Sequence, residues 1–401
     1  MEWKNAKKKG EDVIAIPERW LHLHYYEALN ILFRAENALR VFVYVILKNQ
    51  THDKWTETML QVTEEKQLTI AAASTARKKQ AEGYGYLGYS INSPLMYLNS
   101  GELTRLIVSD SQWTAFKKHF KGTKEIIKTK FDEIGTVRNT LAHFRPIKID
   151  DIELIKQNIK HAFLGIEECL KEVTTILNIV PTNTEADWYQ SLSNLSNEYC
   201  NVQMYQSSRE EWVRIEITYS CAILNKEQYW QGYYSYKVLN LISPAIVKLD
   251  EYSYLAKLCT YVMEHIPYTS MEKDYNPAFK KQTSLIYSKH ILKNHHDAIK
   301  TGLQNLIAKI KEESNLIKED NLARGTLIES IQTSASFSRD KDDETKGWWN
   351  VRSEILAYPF GENDPAEYWG DLDLLYQSDF IAGAKKYPWM PSDISSSELP
   401  F

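Results

Sequence analysis

The sequence predicts a mainly α protein, with an N-terminal helical bundle followed by an α+β region that contains a β-hairpin. Three observations predict it. Apolar residues recur at spacings of three, four and seven through most of the first 178 positions, the mark of packed amphipathic helices. Between 211 and 224 the period changes to two: Val213, Ile215, Ile217 and Tyr219 alternate with Arg214, Glu216 and Thr218, as in a half-buried strand. The length of 401 residues suggests two or three domains. The expected division is 1–178, 188–318 and 319–401, with Pro181 and small polar residues making 179–187 a linker.

The first helix is expected to start near Glu18, with Pro17 in its first turn, and to run to about Lys48. Tyr25, Leu29, Leu32, Leu39, Val43 and Leu47 form its face. A second helical stretch is expected over 55–81, a glycine- and tyrosine-rich break over 83–93, and one or two short helices over 95–120. Gly122 precedes a long helix with Ile126, Ile127, Phe131, Ile134, Val137 and Leu141 at its apolar positions, stopped by Pro146. Asp150 or Asp151 caps one more helix, whose face runs from Ile152 through Ile159 and Ile166 to Leu177. Beyond the linker, 211–224 pairs with 228–241 across a turn at 225–227, and 255–266 and 278–317 read as helices. The region 319–401 is acidic and rich in tryptophan (Trp348, Trp349, Trp369, Trp389).

The net charge of −5 argues against a generic polyanion binder, but the charge is unevenly spread. Residues 1–178 carry 26 basic and 22 acidic side chains, whereas 320–401 carry 7 and 15. A basic front and an acidic tail imply different tasks, and the tail is a candidate cover for the basic face. The four cysteines are widely spaced without a C-x-x-C pair, so a zinc ribbon and a disulfide scaffold are not expected, and a reduced, cytoplasmic setting is. No apolar segment follows the lysines at the N-terminus, so no secretory leader is expected. The longest apolar run, 41–47, is far below the roughly 20 residues that span a bilayer, so no membrane partner is expected.

The chemistry concentrates in Val137-Arg138-Asn139-Thr140-Leu141-Ala142-His143-Phe144-Arg145-Pro146. Asn139 and His143 are four apart on the long helix and share a face. A guanidinium grips a phosphate through two donors and stabilises charge developing on it. An imidazole titrates near neutral pH and can move the proton of a ribose 2′-hydroxyl or of a leaving oxygen. No set of metal ligands accompanies the group, and no cofactor is expected; a metal-free cut by 2′-hydroxyl attack requires RNA. With 12 Arg and 10 His in the chain, Arg-x4-His is expected by chance about 0.3 times, and roughly 0.02 times with Asn after the Arg.

Arg138-Asn139-x-x-x-His143 resembles the R-x4–6-H signature of HEPN domains, and 141–146 is similar to the Swt1-like HEPN subgroup. Glu36-Asn37-Ala38-Leu39-Arg40, followed by Trp55, resembles that subgroup's first-helix pattern, and the likeness covers about 18–178. The resemblance implies a HEPN-like helical bundle and a metal-independent endoribonuclease of toxin, antiviral or abortive-infection systems. It implies a homodimer that brings two motifs into one cleft, with RNA as substrate and an antitoxin or sensor as a further partner. Arg138, Asn139 and His143 would then be catalytic, with Glu36 and Arg145 in support. It also implies a different reading: some members are inactive scaffolds that bind RNA or a nucleotide signal and assemble with a partner effector. Glu36 lies on the apolar face of the first helix, where a carboxylate needs a partner. Arg40 at i+4 is the ordinary one, and the Arg138–His143 cluster the other.

Other candidates read more plainly. Lys117, Lys118, Lys121 and Lys148 form either a phosphate-contacting stripe or a solvated face. The G-x-G-x-x-G at 83–88 lacks the strand before and the helix after that dinucleotide binding needs, and reads as a loop. His22 and His24 point to different helix faces; His290, His295 and His296 miss the i,i+4 spacing of a helical metal pair. Asp364, Glu367, Asp371 and Asp373 read as a solvated acidic cluster.

Overall fold

In the computed structural model the described residues are 7–8, 14–15, 23–63, 66–83, 93–143, 145, 147–221, 223–230, 233–239, 253–271, 277–318, 330–339, 347–353, 365–369 and 388–389. The expected helix start at Glu18, most of the glycine motif, Phe144, Pro146, Asp364, Asp371 and Asp373 lie outside them.

The N-terminal bundle is built on α1 (Leu23–Thr51). Its second half is apolar all round, because Val41 to Leu47 are buried on every face. Around it pack α2 (Ile70–Gly83), α3 (Ser100–Ile107), α4 (Lys124–Ala142), α5 (Ile149–Ala162) and α6 (Leu164–Thr174). The helix expected over 55–81 holds only from Ile70. Before it come a tight turn, His52–Glu57, and a hairpin of β1 (Met59–Gln61) with β2 (Gln67–Thr69). Threonines at 56, 58 and 63 and Val62 favour extended backbone there, and Leu60 is the buried hairpin residue. α3 opens with a reciprocal capping box, Asn99 and Glu102 each accepting the other's backbone N–H at 3.0 Å. Glu102 is buried and ion-paired with Arg77.

The helix expected from 150 to 177 is two helices, broken at Phe163. Asp151 does cap its start, accepting the Lys148 N–H at 2.8 Å. At the break the α6 backbone comes down on His119, where a Cβ on Gly165 would lie 2.0 Å from the His119 carbonyl oxygen, so only glycine fits. Burial, reinforced by Lys118, pushes the His119 imidazole down to about 4, against its bond to the Gly165 backbone. The unfolded chain, with an ordinary histidine near 6.5, therefore takes up a proton first. Stability should fall as pH falls from about 6.5 towards 4, by up to about 3 kcal/mol. His119→Phe should flatten that part of the curve in thermal melts at pH 7.5 and 4.5; a slope as steep as wild type would count against this account.

The C-terminal region contributes α7 (Asp187–Ser193), β3 (Cys200–Gln206), β4 (Trp212–Cys221), β5 (Ile223–Trp230), β6 (Tyr233–Leu239), α8 (Ser253–Leu258), β7 (Tyr261–Met271), β8 (Pro277–Ser288), α9 (Lys289–Lys318), β9 (Ser330–Arg339) and β10 (Gly347–Ser353). Two four-stranded antiparallel sheets form, in the orders β3-β4-β8-β7 and β10-β9-β6-β5. The hairpin falls within 211–241, but its strands are β5 and β6, and 225–227 lies inside β5 rather than at a turn. β4 instead pairs with β3 and β8, with Ile217 opposite Val202 and Thr283. Within the stretches expected to be helical, 261–266 and 278–288 are strands, parts of β7 and β8. Tyr261, Val262 and Met263, like Thr283 to Tyr287, are buried in succession, so no alternation marks them.

Both faces of the first sheet are covered. Trp212, Tyr261, Met263 and Ile286 join the core of the N-terminal bundle. Val213, Ile215, Leu285 and Tyr287 join a second core with Trp188 and Leu192 of α7 and Ile291, Ile299 and Leu303 of α9. Tyr236 of the second sheet meets Phe279 of the first at 5.1 Å between ring centroids.

Described tail residues also enter the first core. Residues 365–369 run along β7, with Val262 N–H donating to the Glu367 carbonyl at 2.6 Å and Trp369 N–H to the Val262 carbonyl at 3.1 Å. Trp369 stacks on Tyr261 at 4.1 Å, and both Trp369 and Trp389 reach Tyr44 of α1. Glu367, expected in a solvated cluster, pairs at 2.6 Å with Lys48, which is 0% exposed. Cys169, Cys200 and Cys259 are buried and form no disulfide among the described residues. Among the described residues no helix is long and apolar enough to cross a membrane.

Candidate functional site

The site forms where α1 crosses the C-terminal half of α4. Glu36 and Arg40 stand one turn apart on α1 and are ion-paired. Arg40 is nearly buried. Beyond Glu36 it donates to the Leu98 carbonyl at 3.1 Å and to Asn37 Oδ1 at 3.3 Å, while its Nε is buried without a partner. Burial lowers the Arg40 pKa and Glu36 opposes that shift, so the guanidinium stays charged. The second carboxylate oxygen of Glu36 faces α4, with Arg138 Nε 3.7 Å from Oε2. Glu36 therefore meets two arginines: one carboxylate oxygen faces Arg40 and the other faces Arg138.

Arg138 is 37% exposed, and Asn139 and His143 are exposed. His143 caps α4 (φ −99°, ψ 15°), its N–H donating to the Asn139 carbonyl at 3.2 Å. Among the described residues neither the Asn139 amide nor the His143 imidazole has a hydrogen-bond partner, so both face solvent unspent. Arg145 is also exposed, and its N–H donates to the Thr140 carbonyl at 3.0 Å, extending the helix end by one wide turn.

Sequence reasoning missed Tyr25. Its hydroxyl reaches from α1 and donates to the Leu141 carbonyl at 3.2 Å, tying down one of the open acceptors at the end of α4. Its place on the apolar face of α1 gave no sign of a polar task. Arg40 was visible only as the ordinary partner of Glu36.

The lysines do not assemble with the motif. Lys117, Lys118 and Lys121 precede α4, whose 19 residues put them about 28 Å from His143. Lys118 instead lies 4.0 Å from Glu211, in an exposed pair. Farther along, Lys124 pairs with Asp110 and Lys128 with Asp132, as on a solvated face. Only Lys148, exposed at the start of α5, lies at the His143 end.

Residues 28–167 match the family model described as Swt1-like HEPN. Over those residues the chain is similar to Swt1-like HEPN domains, which supports the HEPN superfamily. The match takes in both halves of the site, Glu36 and Arg40 on α1 and the 138–143 motif on α4, and an RNase or nucleotide-binding role is the frame it sets. It stops short of the two sheets. No curated protein and no solved structure matches the chain.

Proposed function

We propose that the HEPN domain is a metal-independent endoribonuclease. One observation carries the reading: Arg138, Asn139 and His143 stand open at the end of α4 while a nearly buried Glu36–Arg40 pair holds Arg138 from behind. Two guanidinium groups share one carboxylate, so the cluster keeps one excess positive charge beside an unengaged imidazole. A phosphodiester fits that excess.

In this reading Arg138 grips the scissile phosphate and stabilises charge on its oxygens. His143 moves a proton, and Asn139 orients phosphate or imidazole. The ribose 2′-oxygen attacks phosphorus as its proton passes to a base. The 5′-oxygen leaves and takes a proton from an acid, giving a 2′,3′-cyclic phosphate and a 5′-hydroxyl. The reaction needs a base and an acid, yet the motif supplies one imidazole. A homodimer that faces two α4 ends across a two-fold axis supplies the second. We further propose a toxin or abortive-infection effector working in the cytoplasm, with an antitoxin or sensor partner.

Incubation of purified protein with total RNA in EDTA tests the reading. Cleavage should persist in EDTA and drop at least 10²-fold in both Arg138→Ala and His143→Ala. Intact RNA at every protein concentration, with binding retained, would instead favour a scaffold that binds RNA or a nucleotide signal and assembles with an effector. Growth of bacteria expressing wild type against His143→Ala tests the toxin role; equal growth would remove it.

A further inference from the structure

The C-terminal end of α1 meets α9 through two histidines, and both have unusual backbone. His52 sits at φ 56°, in the left-handed region that few residues other than glycine adopt. His295 sits at φ −134°, ψ 19°, a kink inside α9. Their rings meet edge to face at 80°, with centroids 5.4 Å apart. His52 Nδ1 is buried without a hydrogen-bond partner. Two non-helical backbone positions are thus held where their imidazoles touch, and such strain persists only where the surroundings over-determine it. Among the described residues no group of three or more His, Cys, Asp or Glu side chains gathers as metal ligands.

We propose that the His52–His295 contact is an acid-sensitive latch joining the HEPN domain to α9 of the C-terminal region. The ring contact suits two neutral imidazoles. A proton on His52 places a cation in a site already near Lys48 and against the His295 ring, whose centroid lies 5.4 Å away. The groups around His52 are Lys48 on α1, Asp53 on its own turn, and His290 and His295 on α9. Two further helices pack on the same turn: α8 brings Lys257 as its charged residue, and α2 brings Arg77, Lys78, Lys79 and Glu82. Of the groups acting on His52, Asp53 alone favours protonation, and it is exposed. Burial, followed by His295 and Lys48, holds the His52 pKa below its ordinary value. A group with a lowered folded pKa stabilises the closed form above its unfolded value and loses that contribution as pH falls. The latch therefore holds at neutral pH and slackens below about pH 6.5.

Segment-resolved hydrogen exchange on the full chain tests it. Protection of 48–57 and 289–300, corrected for intrinsic rates, should drop by up to about tenfold for the proton taken up at His52 as pH goes from 6.5 to 5.5. His52→Asn, which tolerates the positive φ, and His295→Gln, which suits a helix, should each remove most of that pH dependence. The segment around His119 serves as an internal control, because its acid response is separate and should survive both substitutions. Protection that does not change with pH in wild type, or that falls equally in both variants, would overturn the latch.

Discussion

Deleting residues 365–401 should unfold the HEPN domain rather than release its activity. Trp369 and Trp389 are fully buried against Tyr44, and removing a buried tryptophan costs about 3–5 kcal/mol. Loss of Glu367 leaves Lys48 wholly buried without its carboxylate, a penalty of about 3–5 kcal/mol. Together these match the whole stability of an ordinary domain, about 5–15 kcal/mol. The expected result is an insoluble chain, or one without a cooperative melt or near-ultraviolet dichroism. An acidic tail read from composition alone points the other way, to a displaceable cover whose removal raises cleavage. A soluble truncation that melts cooperatively and cuts RNA faster than the full chain would restore that reading.

Lys48 and the tail also mark where the sequence stops being legible. A helix such as α4 could be read because it buries one face, so the pattern of Ile127, Phe131, Ile134, Val137 and Leu141 survives in it. The motif at 138–143 could be read because its residue types are rare at that spacing. The strands at 261–271 and 277–288 could not, because a strand covered on both faces buries successive residues, polar ones such as Thr283 and Ser284 included, and so shows no period of two. Glu367 looked like a surface carboxylate because its partner lies more than 300 positions away, and net charge carries no information on pairing. The place of the lysines was not legible for a geometric reason: nearness in sequence to α4 is not nearness to the end of α4 that carries His143. Glu36 was legible as a carboxylate out of place on an apolar face, but not as one that serves two arginines.

Glu36→Ala should damage both stability and cleavage, and a second substitution should separate them. The carboxylate is 14% exposed and Arg40 12%, so its loss strands a nearly buried guanidinium and should cost about 3–5 kcal/mol in denaturant unfolding. It also frees Arg138 from its 3.7 Å anchor, so the phosphate-gripping side chain regains rotamers it must give up on binding RNA. Adding Arg40→Met removes the stranded charge and fills its volume, and replacing a buried pair by apolar groups of similar size is often neutral or better. The double variant Glu36→Ala/Arg40→Met should therefore regain most of the stability. It should not regain cleavage, because Arg138 still lacks its carboxylate; turnover should stay at least tenfold down in single-turnover assays. If cleavage returns with stability, Glu36 serves the bundle alone. If neither returns, Arg40 has a structural task at the Leu98 carbonyl beyond balancing Glu36. Either result leaves the His143 comparison standing, since that side chain is exposed and its removal disturbs no buried partner.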